Sequence, residues 1–344
     1  MRDPLKKLTE GDMPSPDEIR ACFNAIMDGA VSQIQMASFL TALKMRGERV
    51  EDITAAASVM REKATVIEAP DSAMDIVGTG GDGIGTYNIS TATAFVVAGC
   101  GVPVAKHGNK AVSSKSGAAD VLSCLGINLD CNMATIRRAL DDAGICFLMA
   151  PRHHSAMRHV APVRADLGLR TIFNMLGPLA NPALVRRIMV GVFDPELCVP
   201  FAAALHKLGT THAWVVHGDS GLDEVSTTGP TRVAALANGV IGEFTISPDD
   251  LGLTTASIDD LRGGTPEENA TSLRAVLDGA TGPYRDIVIL NAAAALVGGG
   301  HAPDLREAAD RAIESIAAGA AMAALDSLVA ITNSDAANNE TGSA

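Results

Sequence analysis

The feature that most limits the fold of this chain is a series of short apolar runs that begins at Met74. They cover residues 74–77, 102–105, 145–149, 187–193 and 213–216, and each ends in glycine or a polar loop. Helix-length stretches such as 91–98 and 118–125 separate them. Such alternation is typical of parallel strands buried on both faces. The sequence therefore predicts an α/β fold with a central, largely parallel sheet flanked by helices. Ligands are expected at the carboxyl ends of the strands.

Residues 1–72 carry helix signals and no strand signal. Ser15-Pro16-Asp17-Glu18 supplies a capping serine, a proline at the first helical position and a glutamate that closes a capping box. Apolar residues over 19–27 and 36–43 recur at the spacing of one buried helix face, and a third helix is expected over 51–63. We predict a small N-terminal helical domain, whose apolar outer face would suit a homodimer.

The change from helix signals to strand signals near residue 73 gives the expected domain limits. The helical domain is expected to cover 1–72, joined by helices from about 153–182. The α/β domain is expected to cover 73–152 and 183–332, and 333–344 is expected to be a frayed tail. The region after Thr231 is expected to hold a short hairpin and then helices.

Charge and cysteine usage exclude several classes of protein. The 344 residues have a formal net charge of −13, which disfavours nonspecific binding to nucleic acid or to an anionic membrane. The six cysteines show no C-x-x-C pair, so neither a zinc site nor a disulfide framework is indicated. The N-terminus lacks an apolar export run, and we expect a cytoplasmic protein.

The segment Gly78-Thr79-Gly80-Gly81-Asp82-Gly83-Ile84-Gly85 directly follows the first predicted strand. Bare glycine backbone can bring several N–H groups to a phosphate, so this is a candidate phosphate loop. The same glycines fit the dinucleotide pattern G-x-G-x-x-G, which is weak evidence alone. The next predicted strand ends in Lys106-His107 and not in the acidic residue of a dinucleotide fold. A glycine turn without any ligand is the remaining alternative.

Two further polar segments extend this site. Asn88-Ile89-Ser90-Thr91 places Ser90 or Thr91 where either could cap a helix over 92–98. Residues 106–110 (KHGNK) and 113–117 (SSKSG) form a cationic loop between a strand and the next helix. Two anion-binding loops on adjacent strands suit a ligand with two phosphate ends.

Asp223 and Glu224 follow the strand predicted at 213–216. Adjacent carboxylates are hard oxygen ligands that suit Mg²⁺, with phosphates and waters completing its octahedron. A pair of acidic residues in a loop is more often a solvated turn, so the assignment depends on the neighbouring phosphate loops.

Residues 153–182 combine a histidine pair, several arginines and the run RTIFNMLGPLANP at 170–182. Arg164 could grip a carboxylate with its planar guanidinium, while Arg158 and Arg170 could equally be surface residues or ion-pair partners. The histidines could cap helices without a ligand, and Gly177-Pro178 could simply end a helix.

Taken together, GTGGD at 78–82, NIST at 88–91, KHGNK at 106–110, Asp223-Glu224 and the 170–182 run resemble the anthranilate phosphoribosyltransferase family in order and spacing. The resemblance covers nearly the whole chain. It implies a helical domain joined to a larger α/β domain, a homodimer formed through the helical domain, and a Mg²⁺-dependent reaction of phosphoribosyl pyrophosphate with anthranilate on the route to tryptophan.

The resemblance also implies roles for individual residues. Contacts to phosphoribosyl pyrophosphate are implied for Gly78, Thr79, Gly80, Gly81, Asp82, Thr86, Asn88, Ile89, Ser90, Thr91, Lys106, His107, Gly108, Asn109, Lys110, Ser114 and Ala118. Contacts to anthranilate are implied for Gly78, His107, Asn109, His154, Arg164, Gly177 and Pro178, with Arg164 meeting its carboxylate. Ser90, Asp223 and Glu224 are implied ligands of magnesium.

Four positions depart from the family pattern: Lys110 stands for Arg, Ala118 for Ser, Met149 for Phe and Ser155 for Pro. Lys110 keeps the charge but loses the bidentate fork. Two alternatives stay open, a pyrimidine nucleoside phosphorylase of the same architecture and a catalytically silent nucleotide-binding relative. Asp223-Glu224 and LGPLANP argue against the phosphorylase.

Overall fold

The computed structural model describes residues 1–111 and 115–341. Its α-helices are α1 (Arg2–Glu10), α2 (Pro16–Met27), α3 (Gln33–Arg46), α4 (Val50–Glu62), α5 (Ile89–Gly99), α6 (Ala118–Cys124), α7 (Met133–Asp142), α8 (Ala150–His153), α9 (Ala161–Leu167), α10 (Phe173–Leu179), α11 (Cys198–Lys207), α12 (Pro266–Leu277), α13 (Pro283–Gly298), α14 (Leu305–Ala317) and α15 (Ala320–Thr341). Its strands are β1 (Met74–Gly78), β2 (Val104–Gly108), β3 (Ile145–Met149), β4 (Arg187–Gly191), β5 (His212–Gly218), β6 (Thr231–Ala237) and β7 (Val240–Ile246).

The N-terminal helices begin at the signals that the sequence carries. Ser15 Oγ accepts the Glu18 N–H at 3.3 Å, and the Glu18 carboxylate accepts the Ser15 N–H at 2.8 Å, which closes the expected capping box of α2. Ser32 and Gln35 form the same arrangement at α3. Helix α1 was not predicted, because only Met1 stands at its N-cap and no capping side chain marks its start.

The seven strands form one sheet in the order β3-β2-β1-β4-β5-β6-β7. The pairs that join β1 to β5 are parallel, and the hairpin β6-β7 adds two antiparallel strands at one edge. The prediction of a largely parallel sheet with flanking helices is therefore confirmed. Because β1 lies between β2 and β4, and β5 follows β4, the loops after β1, β2 and β5 meet at one end of the sheet.

Two hydrophobic cores cover the two faces of the sheet. One holds α5, α13 and the inward residues of β1 to β3. The other joins α1 to α4 with α9, α10, α11 and the opposite face of β4 and β5. Packing of α9 and α10 with the N-terminal bundle supports the expectation that helices from 153–182 join the helical domain, although the domain limits stay a prediction.

Some predicted element limits were wrong. Helix α5 begins at Ile89 with Asn88 at its N-cap, so neither Ser90 nor Thr91 caps it. Ile89 is only 1% exposed and packs in the core, so the helix begins earlier in the chain than predicted. Strand β2 begins at Val104, after Pro103, and extends into Lys106 and His107. Helix α15 extends to Thr341, and the fraying expected for 333–344 stays a prediction.

Within the described residues, no single helix is both long and apolar enough to cross a bilayer. One bent pair, Leu305–Ala317 with Ala320–Ser334 at 59°, reaches that length and composition only when taken together.

Candidate active site

The glycine loop after β1 packs against the acidic pair after β5. The backbone N–H of Gly80 donates to Asp223 Oδ2 at 2.6 Å. Gly78 lies so close that a Cβ atom there would overlap the Asp223 carboxylate, and a Cβ at Gly191 would overlap the Asp223 backbone. Glycine is therefore required at 78 and 191 by the close approach of this loop, and the choice between a phosphate loop and a glycine turn without a ligand stays a prediction.

The second predicted loop reaches the other acidic residue. The backbone N–H of Ser90 donates to Glu224 Oε1 at 3.1 Å. Lys106 Nζ donates to Ser90 Oγ at 3.3 Å and to the Ile76 carbonyl at 2.6 Å. The ends of β1, β2 and β5 thus bring Ser90, Lys106 and Glu224 into one cluster.

Asp223 and Glu224 are each only 9% exposed, so the alternative of a solvated acidic turn is wrong. Burial raises the pKa of the Asp223 carboxyl, and the nearby charge of Asp82 adds to it. Burial also raises the pKa of Glu224, with the Asp223 charge adding to it and Lys106 opposing it. The two side chains form a buried acidic pair that favours a cation.

The donor set fits a hard divalent cation. The groups that converge are carboxylate and hydroxyl oxygens, the ligands that Mg²⁺ prefers. Within 1–111 and 115–341, no group of three or more His, Cys, Asp or Glu side chains has the arrangement of a complete metal site. A magnesium ion here would need further oxygens from a ligand or water, which is how Mg²⁺ is usually bound beside phosphates.

Lys106 lies at the centre of this edge and is 3% exposed. Burial lowers the pKa of its ammonium, while the Asp75 and Glu224 carboxylates oppose that shift. Burial raises the pKa of Asp75 to about 6, and Lys106 opposes it. Sequence reasoning missed Asp75, although an acidic residue inside a buried strand was a readable signal.

Asn88, at the N-cap of α5, is tied to the loop after β2 and to two later helices. Its Oδ1 accepts hydrogen bonds from Asn269 Nδ2 at 2.9 Å and from Ser116 Oγ at 3.1 Å. Tyr284 donates to the Asn88 carbonyl at 3.3 Å, and its ring stacks on Tyr87 with centroids 4.3 Å apart. Two of these supports, Asn269 and Tyr284, come from α12 and α13 and carried no signal in the sequence.

The loop after β2 is held by one carboxylate. Asp120 Oδ2 accepts the backbone N–H groups of Ala111 at 2.8 Å and Gly117 at 3.0 Å. The Asn109 side chain accepts the N–H of Lys110 at 2.8 Å, and the Lys110 side chain is exposed. Ser114 lies outside the described residues.

The other predicted ligand-binding residues of these loops differ in what they can offer. The side chains of Ile89 and Thr91 are each 1% exposed, so any contact with a ligand there would depend on backbone atoms. Thr79 Oγ1 accepts the N–H of Phe193 at 3.1 Å. Thr86 pairs with Arg262 through the backbone, and Ala118 begins α6 beside Gly108.

A histidine pair lies beside the candidate phosphate loops. The rings of His107 and His154 are 5.2 Å apart, and both residues are buried. Burial, followed by the two neighbouring histidines, lowers the pKa of His107 to about 3, and burial lowers that of His154 to about 4. Both imidazoles are therefore neutral at pH 7. His154 occupies the C-cap of α8, as the helix-capping alternative allows, but it makes no side-chain bond at the N-cap of the short helix that follows.

Arg164 on α9 is half-buried, with its guanidinium 6.0 Å from the Phe173 ring centroid. It has no carboxylate partner within the part of the chain that the structure describes. Burial lowers the pKa of its guanidinium, which still stays charged at pH 7. An unpaired, half-buried cation favours an anionic ligand. Arg158, in contrast, is exposed.

Gly177 and Pro178 lie in the last turn of α10, which ends at Leu179. Arg61 of α4 donates to the carbonyls of Leu179 at 2.6 Å and Leu208 at 2.9 Å. Its charge thus meets the C-terminal carbonyls of two helices, where a cation is favoured. Arg61 is a further residue that sequence reasoning missed.

Arg170 contacts both the glycine loop and Phe193, which follows β4. It donates to the Gly81 carbonyl, and its guanidinium lies 4.2 Å from the Phe193 ring centroid. The sequence predicted that Arg170 is either a surface residue or an ion-pair partner. The side chain is exposed, but it also donates to the backbone of the glycine loop, a contact that neither alternative included. The dinucleotide interpretation is contradicted, since α5 begins after the glycines and β2 ends in Lys106-His107-Gly108.

Two family models match the chain. The helical bundle domain of a glycosyl transferase family matches residues 2–64, and the a/b domain of that family matches residues 70–322. The two matches meet at the linker between α4 and β1.

Relatives and solved structures agree with these matches. An anthranilate phosphoribosyltransferase of Parvibaculum lavamentivorans is 56% identical over 329 residues, which are 96% of each chain. The crystal structure of anthranilate phosphoribosyltransferase from Thermus thermophilus has a TM-score of 0.92 and 43% identity, and the match covers 96% of this chain and 100% of that one. The Saccharomyces cerevisiae enzyme in complex with PRPP and Mg has a TM-score of 0.89 and 31% identity, covering 96% and 97%.

Proposed function

The chain belongs to the anthranilate phosphoribosyltransferase family of glycosyltransferases, and we propose that the edge formed by β1, β2 and β5 is where its reaction takes place. There the 5-phosphoribosyl group of phosphoribosyl pyrophosphate passes to the amine of anthranilate, giving N-(5-phosphoribosyl)anthranilate and pyrophosphate for tryptophan biosynthesis. The observation that carries the assignment of this site is the packing of the glycine loop on the buried pair Asp223 and Glu224 beside Lys106.

Phosphoribosyl pyrophosphate lies, in this proposal, across the glycine loop after β1 and the loop after β2, to which Ser116 ties Asn88. The glycine loop 78–82 and the N-terminus of α5 offer backbone N–H groups to phosphate oxygens. Lys106 and Lys110 supply positive charge in a chain whose net charge is −13, so anion binding has to be local. Asn88 Nδ2 donates to no group within residues 1–111 and 115–341, so its amide hydrogens can be offered to the ligand while Oδ1 holds the side chain in place.

Asp223, Glu224 and Ser90 would hold magnesium. The fit comes from two buried carboxylates that form no ion pair with a lysine or arginine in the described part of the chain. Bound magnesium supplies charge stabilisation for the departing pyrophosphate. The Ser90 and Gly80 N–H groups already orient the two carboxylates toward the loops that would carry the phosphates.

Anthranilate would lie between His107, His154 and the Gly177-Pro178 turn, with its carboxylate at Arg164. Neutral histidines leave Arg164 as the cation that recognises the ligand's charge, which suits a planar guanidinium. The aromatic amine forms the bond to the anomeric carbon as the bond to pyrophosphate breaks, with inversion. No side-chain nucleophile is required, so positioning and charge neutralisation dominate the rate.

We further propose a cytoplasmic homodimer. Ile34 and Met45 are 80% and 83% exposed on α3, three helical turns apart, and therefore lie on nearly the same side of that helix. Two large apolar side chains at such exposure on one side of the bundle suit burial against a second copy.

The activity is tested by following anthranilate fluorescence with purified protein, Mg²⁺ and phosphoribosyl pyrophosphate, omitting each component in turn. Loss of fluorescence that requires all three, with equal release of pyrophosphate, supports the proposal. Folded protein that consumes no anthranilate, but releases uracil or thymine from nucleosides with inorganic phosphate, would instead support the phosphorylase. Binding of phosphoribosyl pyrophosphate without release of pyrophosphate would indicate a silent relative.

A further inference from the structure

A fully buried carboxylate lies beneath the proposed anthranilate site and does not take part in the mechanism above. Asp75 in β1 is 0% exposed. Its Oδ1 accepts the backbone N–H of Ile76 at 2.8 Å and of His107 at 3.1 Å. Its Oδ2 accepts Nδ2 of Asn181 at 2.7 Å.

Asn181 is 2% exposed and uses both ends of its amide. Besides the bond to Asp75, Nδ2 donates to the Ala105 carbonyl in β2 at 2.8 Å. Its Oδ1 accepts the N–H of Ala183 at 2.7 Å. One side chain therefore ties the segment after α10 to two strands of the sheet.

These contacts form a chain between two walls of one site. His107 is held through its backbone N–H by Asp75, and Asn181 follows Gly177 and Pro178 by only a few residues. The next residue, Pro182, accepts the N–H of Ile67 at 3.2 Å, so the linker after α4 anchors the same segment. A shift of Asn181 would move the Gly177-Pro178 turn relative to His107.

An apolar core would place the segment without the cost of burying a carboxylate. The hydrogen bonds between Asp75 and Asn181 instead fix the orientation of the segment after α10 as well as its distance from the sheet, because each buried donor and acceptor must be satisfied. Lys106 opposes the cost of the Asp75 charge. The pair is therefore suited to a part of the molecule where sub-ångström placement matters.

We propose that Asp75 and Asn181 are positioning residues, which set the separation between His107 and the Gly177-Pro178 turn and so control the affinity for anthranilate. The inference rests on the proposed function and assigns no contact between either residue and substrate. It predicts that loss of the pair raises the KM for anthranilate much more than the KM for phosphoribosyl pyrophosphate.

The test measures both KM values, kcat and thermal unfolding for Asn181→Ala. Removing a buried bond to a charged group predicts a KM for anthranilate roughly tenfold higher, with less than about a twofold change for phosphoribosyl pyrophosphate. A KM does not depend on the fraction of protein that is folded, so simple destabilisation would not produce this split.

Asn181→Asp is the conservative variant. It keeps the shape, and a proton shared between its carboxyl and Asp75 keeps one hydrogen bond. It should recover part of the anthranilate affinity lost in Asn181→Ala. Where Asn181→Ala yields no folded protein, Asn181→Asp is compared with wild type, and the lost bond to Ala105 predicts an anthranilate KM about threefold higher.

Asn291 offers a matched control. It is 0% exposed and also makes three hydrogen bonds, accepting from Val225 N at 2.9 Å and donating to the carbonyls of Val225 at 2.7 Å and Ile287 at 2.8 Å. Val225 adjoins Glu224, so Asn291→Ala should raise the requirement for Mg²⁺ and phosphoribosyl pyrophosphate and spare the KM for anthranilate.

Opposite KM patterns in the two alanine variants support the inference. An unchanged anthranilate KM in Asn181→Ala, or in Asn181→Asp where only that variant folds, overturns it. The same KM pattern in Asn181→Ala and Asn291→Ala also overturns it. Absence of anthranilate-dependent pyrophosphate release by wild type is a different result, which overturns the proposed function itself.

Discussion

The backbone N–H of Gly80 donates a 2.6 Å hydrogen bond to Oδ2 of Asp223, although the two residues are 143 positions apart in the chain. The bond closes the glycine loop over a buried carboxylate that has no lysine or arginine ion pair within the described residues. The site is thereby prepared for a cation, and its properties should depend on pH and on magnesium.

Magnesium should stabilise the protein more at about pH 8 than at about pH 5. Burial raises the pKa values of Asp223 and Glu224, so the folded state binds protons more tightly than the unfolded chain. The contribution of these two carboxyls to the free energy of unfolding is therefore most favourable below their pKa of about 4 in the unfolded chain. It declines as the pH rises toward their pKa values in the folded protein. Magnesium replaces those protons. Thermal unfolding with and without Mg²⁺ measures the effect, and equal shifts at both pH values would contradict it.

Arg164→Ala should raise the KM for anthranilate by about tenfold or more, because it removes the cation proposed to meet the substrate carboxylate. The KM for phosphoribosyl pyrophosphate should change little. Arg158→Ala is the matched control, since Arg158 is a nearby arginine with an exposed side chain. Steady-state kinetics with each substrate varied in turn give the comparison. Equal effects of the two substitutions would remove Arg164 from the site.

Lys110→Arg should lower the KM for phosphoribosyl pyrophosphate about two- to fivefold. The arginine fork can bind two phosphate oxygens at once, whereas the exposed Lys110 ammonium acts as a point charge. Lys44→Arg, at an exposed position on α3, controls for the general effect of arginine. A KM unchanged by Lys110→Arg would show that this side chain does not contact a phosphate.

Ile34→Glu should convert the proposed dimer into a monomer, because a charge would be buried in the proposed interface. Val240→Glu is the matched control, since Val240 is 71% exposed on the edge strand β7 and is not part of α1 to α4. Sedimentation velocity distinguishes the species. A dimer that survives Ile34→Glu would place the interface elsewhere, and a monomeric wild type would exclude the dimer.

Much of the fold was predictable because its signals are local. Parallel strands buried on both faces read as apolar runs, and the capping box at Ser15 marks the start of α2. The limits of β2 were not predictable in the same way. Lys106 and His107 lie in this strand and are polar, so no apolar run marks them. They are buried by the loops that surround them.

The site was predictable as a set of loops but not as a set of contacts. Glycines, lysines and an acidic pair after strands indicate ligand chemistry, and the strand order brings them together. The burial of Asp223 and Glu224 depends on residues far away in the chain, such as Gly78 and Ser90. Arg61 was missed for the same reason, because its partners lie on other elements, whereas Asp75 did carry a signal as an acidic residue inside a buried strand.

The measurement that tests the account most directly is the turnover of Asp223→Asn/Glu224→Gln, followed by anthranilate fluorescence at saturating Mg²⁺ and phosphoribosyl pyrophosphate. Replacing two buried carboxylates by amides of the same shape should leave the thermal unfolding transition cooperative. Turnover should fall by at least about a hundredfold, since several kcal/mol of charge stabilisation are lost. Turnover close to that of wild type would contradict the assignment of the magnesium and pyrophosphate site to this edge of the sheet.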